Sequence, residues 1–186
     1  MKIFIKNMVC NRCISAVSKI FEDAEITTVS MKLGELETEL PVTEENLKII
    51  EKNLQQTGFE RIKDSTQQII EKIKNLIITK ISSIDIADDF VLSEFLSSSL
   101  HKDYSLISKT FSQHENVTLE QFFILQKIEK VKELLLYNEF TLTEISSKLG
   151  YKSVQHLSAQ FRSITGFTPT EFKKLKVHNR QALDLI

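Results

Sequence analysis

Cys10 and Cys13 are the two thiols of a 186-residue chain, three residues apart in Met8-Val9-Cys10-Asn11-Arg12-Cys13. Two thiols at this spacing at a helix N-terminus can both point at one ion. The helix dipole there favours thiolate, the form that binds metal. The remaining inventory constrains the ion: no His precedes His101 and no third Cys exists. A structural zinc site wants four ligands, so two thiolates alone suit a soft ion of low coordination number, Cu(I) above all, or another soft metal. Two other readings stay open. One is a redox dithiol, although the segment is short for that fold and the pair lacks its proline. The other is a vestigial pair in a domain now used for dimerisation or for another ligand.

Other residues able to do chemistry are scattered. His101, His114, His156 and His178 lack metal spacing and are expected at the surface. Asp85, Asp88 and Asp89 resemble a carboxylate set but precede a helix start, so they are expected to cap it and to be solvated. There is no Gly-rich phosphate loop and no Ser/His/Asp arrangement. No enzyme and no required cofactor are expected.

The elements that position these residues fall into two parts. In 1–64, Lys2-Ile3-Phe4-Ile5-Lys6 alternates as a half-buried strand. Ile14, Val17, Ser18 and Phe21 fall at helical spacing. Runs 26–32 and 35–40 meet at Leu33-Gly34 as a hairpin. Thr43 is placed to cap a helix carrying Leu47, Ile50 and Leu54. Gly58 ends that helix and 59–62 begins a last strand. The order predicts a ferredoxin-like βαββαβ domain. Residues 66–176 read as helices, first over 66–82 with Ile69, Ile70, Ile73, Leu76 and Ile77. A long helix over 119–136 follows Thr118 and carries Phe122, Leu125, Ile128, Val131 and Leu135. The segment after Lys176 is expected to fray or form a short helix. The fold class is therefore α+β: a small ferredoxin-like domain at 1–64, an all-α domain at 66–176 and a tail at 177–186.

Composition agrees. With 41% hydrophobic and 26% charged residues the chain has enough for a core, and 4 Gly and 2 Pro favour helices over many tight turns. No apolar run approaches the ~20 residues of a bilayer span. The N-terminus lacks a signal peptide's apolar stretch, so a cytoplasmic protein without a membrane partner is expected. Net charge −1 excludes a uniformly basic nucleic-acid binder but not a local one. Residues 83–118 hold 2 basic and 6 acidic groups, whereas 145–180 hold 7 basic and one acidic, Glu171.

The helical part repeats itself. A shift of 50 residues places Glu94–Phe122 on Glu144–Phe172 with seven identities in 29 positions, where chance gives about two. Asn116 falls on Gly166, and both tolerate the left-handed conformation that ends a helix. In the second copy Thr141 or Thr143 caps a helix through Leu149, Gly150 turns the chain, and a helix runs from Ser153 to Ile164. That is helix-turn-helix. Leu157, Phe161 and Ile164 are expected in the core. Gln155, Ser158, Ala159 and Arg162 form the opposite face, with no acid among them, which suits the major groove. The same register in the first copy gives Ser105, Ser108, Lys109 and Ser112. Lys152, Lys173 and Lys174 are candidate phosphate contacts. The 18-residue helix between the copies spans about 27 Å, enough with its turns to separate two recognition helices by about one DNA turn, 34 Å.

Two resemblances follow. Residues 66–176 resemble the tandem helix-turn-helix domain of the AraC/XylS family of bacterial transcription regulators. The resemblance is carried by Lys127–Leu135, by Leu142–Tyr151 and by Leu157–Pro169 with its Gly-Tyr…Phe-Arg…Gly-x-Thr-Pro frame. Lys127 stands where Arg is usual, Ser146 where Ala is usual, and Leu157 where an aromatic is usual. The resemblance implies sequence-specific binding of double-stranded DNA and a meeting with RNA polymerase. Asp103, at the start of the first recognition helix, implies that the two units contribute unequally. Residues 1–64 resemble the heavy-metal-associated domain of metal chaperones and metal-pumping ATPases, through Asn7-Met8-Val9-Cys10-Asn11-Arg12-Cys13 and Gly58-Phe59, with Asn7 in place of Gly. This implies metal binding at Cys10 and Cys13, and an ion shared between two chains would make a homodimer. The expected protein is a transcription regulator with a sensor domain; the alternative is a metal-binding chaperone or buffer with a helical interaction module.

Overall fold

Residues 1–175 and Leu183 are described by the computed structural model, and the expectation for the segment after Lys176 lies outside them. The chain folds as two compact units, one of Met1–Asn75 and a second from Leu76 onward.

The first unit is a four-stranded antiparallel sheet in the order β2-β3-β1-β4, built from β1 (Lys2–Lys6), β2 (Thr28–Lys32), β3 (Glu35–Thr38) and β4 (Glu60–Ile62). Helices α1 (Asn11–Asp23) and α2 (Glu44–Gln56) intervene. The alternation in β1 sends Ile3 and Ile5 into the core at 2% and 0% exposure. There they pack with Val17, Ile20 and Phe21 of α1 and Leu47, Ile50 and Leu54 of α2. Register Ile3↔Leu36 and Phe4↔Ile62 holds β1 between β3 and β4. Thr43 caps α2, its hydroxyl accepting from the Asn46 N–H. The strands are shorter than the expected runs. β2 begins at Thr28, and β3 stops at Thr38, whose side-chain hydroxyl donates to the Leu40 carbonyl and bends the chain away. Gly34 turns the hairpin at φ +77, and a Cβ there would meet the Asn75 side-chain nitrogen at 2.3 Å. Asn75 belongs to α3 (Ser65–Ser82), which runs across the division between the units.

The second unit contains α4 (Leu92–Leu100), α5 (Tyr104–His114), α6 (Leu119–Tyr137), α7 (Leu142–Lys148), α8 (Val154–Thr165) and α9 (Pro169–Lys173). α6 is buried on most of its circumference, Gln126, Lys127, Glu129 and Lys132 included. Lys132 and Glu129 pair with each other there, which is how a buried charge is tolerated.

Three expectations are corrected. Ile164 is 44% exposed, because the last turn of α8 runs past the aromatic pair that closes the core at Phe161 and Phe172. Asn116 is not left-handed; α5 ends instead on Glu115 in extended backbone, which needs no special residue. Asp85, Asp88 and Asp89 are exposed but cap nothing, since the residue before α4 is Val91, with no side-chain cap.

Candidate nucleic-acid interface

Three of the helices in the second unit start with the same device. The hydroxyls of Thr118, Thr141 and Thr168 accept from the main-chain N–H three residues on, and Gln121, Glu144 and Glu171 accept back from the cap N–H. These boxes satisfy two helix-end donors each. Main-chain hydrogen bonds hold the Glu144 and Glu171 carboxyls below the usual carboxylate range. The cap of α7 is thus Thr141, not Thr143.

Between α7 and α8 the chain turns at Gly150, φ +65. A Cβ there would also lie 2.6 Å from the Ala87 carbonyl oxygen. Ile86 pairs with Leu149 and donates its N–H to the Lys148 carbonyl at 3.0 Å, so the segment before α4 lies against this turn. Glycine is required twice here, for backbone conformation and for close approach. Ser153 then caps α8, accepting from the His156 N–H at 3.1 Å, and Gly166 ends it at φ +81.

The 50-residue repeat is a repeat of packing. Leu157 and Phe161 of α8 are fully buried, as are Ile107 and Phe111 of α5. Ring centroids of Phe161 and Phe172 lie 5.4 Å apart, and those of Phe111 and Phe122 also 5.4 Å apart. With one stripe buried, the other face is fixed by the 3.6-residue period. On α8 this leaves Gln155, Ala159 and Arg162 exposed and Ser158 half-buried; on α5 it leaves Ser105, Lys109 and Ser112 exposed and Ser108 half-buried. Lys152 is exposed in the turn, Lys173 on α9 and Lys174 just after it. Lys173 donates to the side-chain oxygen of Asn138, a neutral partner that does not cancel its positive charge.

The exposed arcs are wider than the expected faces. Leu106 (53% exposed) and Gln113 join the face of α5, and His156 and Ser163 occupy the same places on α8. Projecting each helix at 100° per residue around its buried pair finds them. The copies differ at the helix starts. Asp103 before α5 makes no side-chain cap, and Tyr104 instead donates its hydroxyl to the Glu120 carboxylate on α6.

The thiols form a separate site in the first unit. Cys10 is the N-cap of α1 and exposed, Cys13 is half-buried, and their sulfurs lie 3.6 Å apart. Two thiolates about 2.3 Å from a tetrahedral ion stand about 3.8 Å apart, so the pair fits two positions of such an ion. Among the described residues no group of three or more His, Cys, Asp or Glu could hold a metal. Burial opposes the Cys10 thiolate, but the Cys13 N–H and thiol and the neighbouring Arg12 outweigh it and lower the Cys10 pKa. Burial and the adjacent Cys10 push Cys13 up. Met8 is 1% exposed and anchors the loop in the core. Asn7, where the resembling motif has Gly, is left-handed at φ 70 and donates its side-chain amide to the Gly58 carbonyl at 2.9 Å. Its own N–H donates to Glu71 of α3 at 3.0 Å.

Among the described residues no helix is long and apolar enough to cross a membrane. Residues 96–175 match a family model described as a helix-turn-helix domain. Over 69 residues the chain is 29% identical to the xylose operon regulatory protein of Escherichia coli (strain K12), covering 37% of this chain and 18% of that protein. The chain therefore spans about a fifth of the length of the curated relatives it matches. The C-terminal domain of AraT, a response regulator from Geobacillus stearothermophilus, superimposes with a TM-score of 0.52 at 21% identity, covering 60% of this chain and 88% of that one. The C-terminal domain of the two-component response regulator yesN from Fusobacterium nucleatum subsp. nucleatum is 25% identical with a TM-score of 0.48, covering 55% and 99% of the respective chains. Residues 96–175 are thus similar to a helix-turn-helix domain family.

Proposed function

We propose that the chain is a sequence-specific DNA-binding transcription regulator that lays α5 and α8 in the major groove of double-stranded DNA. The observation that carries this reading is the doubled helix pair: two recognition helices with the same buried stripe and the same exposed, acid-free face. The match of residues 96–175 to the helix-turn-helix family, and the name of a relative that regulates an operon, support it. In this reading RNA polymerase is the partner reached at a promoter. The test selects duplexes from a random-sequence pool with the full chain and titrates the selected duplex between 50 and 200 mM salt. A preferred sequence, with affinity falling linearly in log salt, is expected. Binding without sequence preference overturns the reading.

The first unit is read as a ferredoxin-like, heavy-metal-associated-type sensor over 1–64, joined to the DNA-binding part over 66–176. Cys10 and Cys13 would hold a soft ion such as Cu(I), and the placement of both sulfurs at the N-terminus of α1 supports this. An ion shared by two chains would make a homodimer. The chaperone or buffer reading predicts metal transfer to another protein with no DNA selected, so the same two measurements separate them.

A further inference from the structure

Lys127 is a buried cation that the exposed DNA-facing surfaces do not use. It lies on α6 at 7% exposure, with its ammonium 3.7 Å from the centroid of the Tyr151 ring and 5.5 Å from that of Phe123. Tyr151 occupies the turn between α7 and α8 at 4% exposure. Its hydroxyl donates to the Gln160 side-chain oxygen on α8 at 2.8 Å. Its ring stands nearly perpendicular to that of His156, also on α8, with centroids 5.5 Å apart at 82°. One ring thus links the central helix, the turn and the recognition helix. Burying a cation is costly, and a Leu or Met of the same reach would fill the space without that cost. A cation over an aromatic face adds direction instead, because the attraction falls away when the ring tilts.

We propose that Lys127 is a positioning residue: its cation fixes the Tyr151 ring, and the Tyr151–Gln160 hydrogen bond fixes the rotation of α8, hence which base edges Gln155 and Ala159 meet and which phosphate Arg162 reaches. The inference rests on the DNA-binding reading above and deepens it. The first copy provides an internal control. The 50-residue shift places Ile77 opposite Lys127, His101 opposite Tyr151 and Thr110 opposite Gln160. That copy has no equivalent device, so the effect belongs to one half of the DNA site.

The experiment has two arms on the full chain. Without DNA, the ε-methylene protons of Lys127 are expected upfield of those of the other lysines in an NMR spectrum, because they lie over a ring; an ordinary shift overturns the contact. With DNA, a random duplex pool is selected by wild type, Lys127→Met, Lys127→Arg and Tyr151→Leu, each checked for folding by thermal melting. Wild type is expected to enrich a two-part sequence. Lys127→Met and Tyr151→Leu are expected to lose about tenfold of the enrichment in one part and keep the other, and Lys127→Arg, which also stacks on a ring, to restore it. If folded Lys127→Met keeps both parts, or loses both equally, or if Arg fails to restore, Lys127 does not position α8. If wild type enriches nothing, the DNA-binding reading itself falls, and this inference with it, whatever the NMR arm shows.

Discussion

Arg162 and Gln155 share an exposed face of α8, and the proposed function gives them different physics. An arginine on a phosphate contributes charge, so Arg162→Ala is expected to weaken binding to all sequences and lower the salt slope of log K by about one. Gln155 facing a base edge contributes discrimination, so Gln155→Ala is expected to cost about 1–3 kcal/mol on the preferred sequence and little elsewhere. Titrations of both variants over several salt concentrations separate the two, and identical losses would refute the assignment. Lys127 is distinctive in another way. Burial pushes its ammonium down to about 8, from an ordinary 10.5. Below pH 8 both folded and unfolded chains carry the proton, and the cost of the buried charge is fully present. Between 8 and 10.5 the unfolded chain binds more protons, so this group makes stability rise with pH, by at most about 1.4 kcal/mol per unit. Burial raises the Tyr151 hydroxyl, which therefore stays protonated in the fold over that window. Denaturant unfolding at pH 7.5 and 9.5 should show a smaller pH gain for Lys127→Met than for wild type; equal gains would show that the ammonium is not perturbed. The faces of α5 and α8 were legible in the sequence because a buried pair four apart fixes the opposite side of a helix. The burial of Lys127 was not, because it lies off the stripe of Phe122, Ile128 and Val131 and is covered by Tyr151, 24 positions further along.

At the scale of elements, the two helix pairs share a core but not their ends. α7, α8 and α9 each start on a Thr or Ser whose hydroxyl caps the helix. α4 starts on Val91 and α5 on Asp103, and neither makes a side-chain cap. Replacing a capping Thr by Ala costs about 1 kcal/mol. Thr141→Ala is therefore expected to lower stability by about that amount, whereas Asp103→Ala should change it by less. Amide exchange should also find α7 and α8 better protected than α4 and α5, and the opposite order would mean that caps do not govern these ends. The cap at Thr43 was readable from residue type because it precedes an apolar run. The ends that misled were those where a tolerated conformation was taken for a required one. Asn116 tolerates the left-handed region, yet the chain leaves α5 in extended backbone. The left-handed residue after α4 is His101, φ 52, a side chain with no sequence signal for it.

On the scale of the whole molecule, the proposed function asks whether the thiol site and DNA binding are coupled. α3 is the element to test. Its Glu71, 7% exposed, accepts the N–H of Asn7 at the start of the thiol loop, and its Asn75 lies against the Gly34 turn. The same helix continues past Asn75 into the second unit. The Asn7–Glu71 contact was invisible in the sequence, where 66–82 reads only as an amphipathic stripe, because it spans 64 positions. Coupling is a free energy shared by two sites and is reciprocal. If Cu(I) on Cys10 and Cys13 changes the affinity for the selected duplex by some factor, the duplex must change the affinity for Cu(I) by that same factor. Both are measurable on the reduced full chain, the first by duplex titration with and without Cu(I), the second by competition with a Cu(I) chelator with and without duplex. Wild type is expected to give one factor in both directions, and the Cys10→Ser/Cys13→Ser variant to bind Cu(I) weakly and give a factor of one. Glu71→Leu removes the acceptor without touching a thiol or a recognition helix. It is expected to keep Cu(I) binding and duplex binding while the factor falls toward one. Retention of the full factor by Glu71→Leu would exclude the Asn7–Glu71 link as the route. A factor of one in wild type, with Cu(I) bound, would mean that the thiol site and the recognition helices work independently.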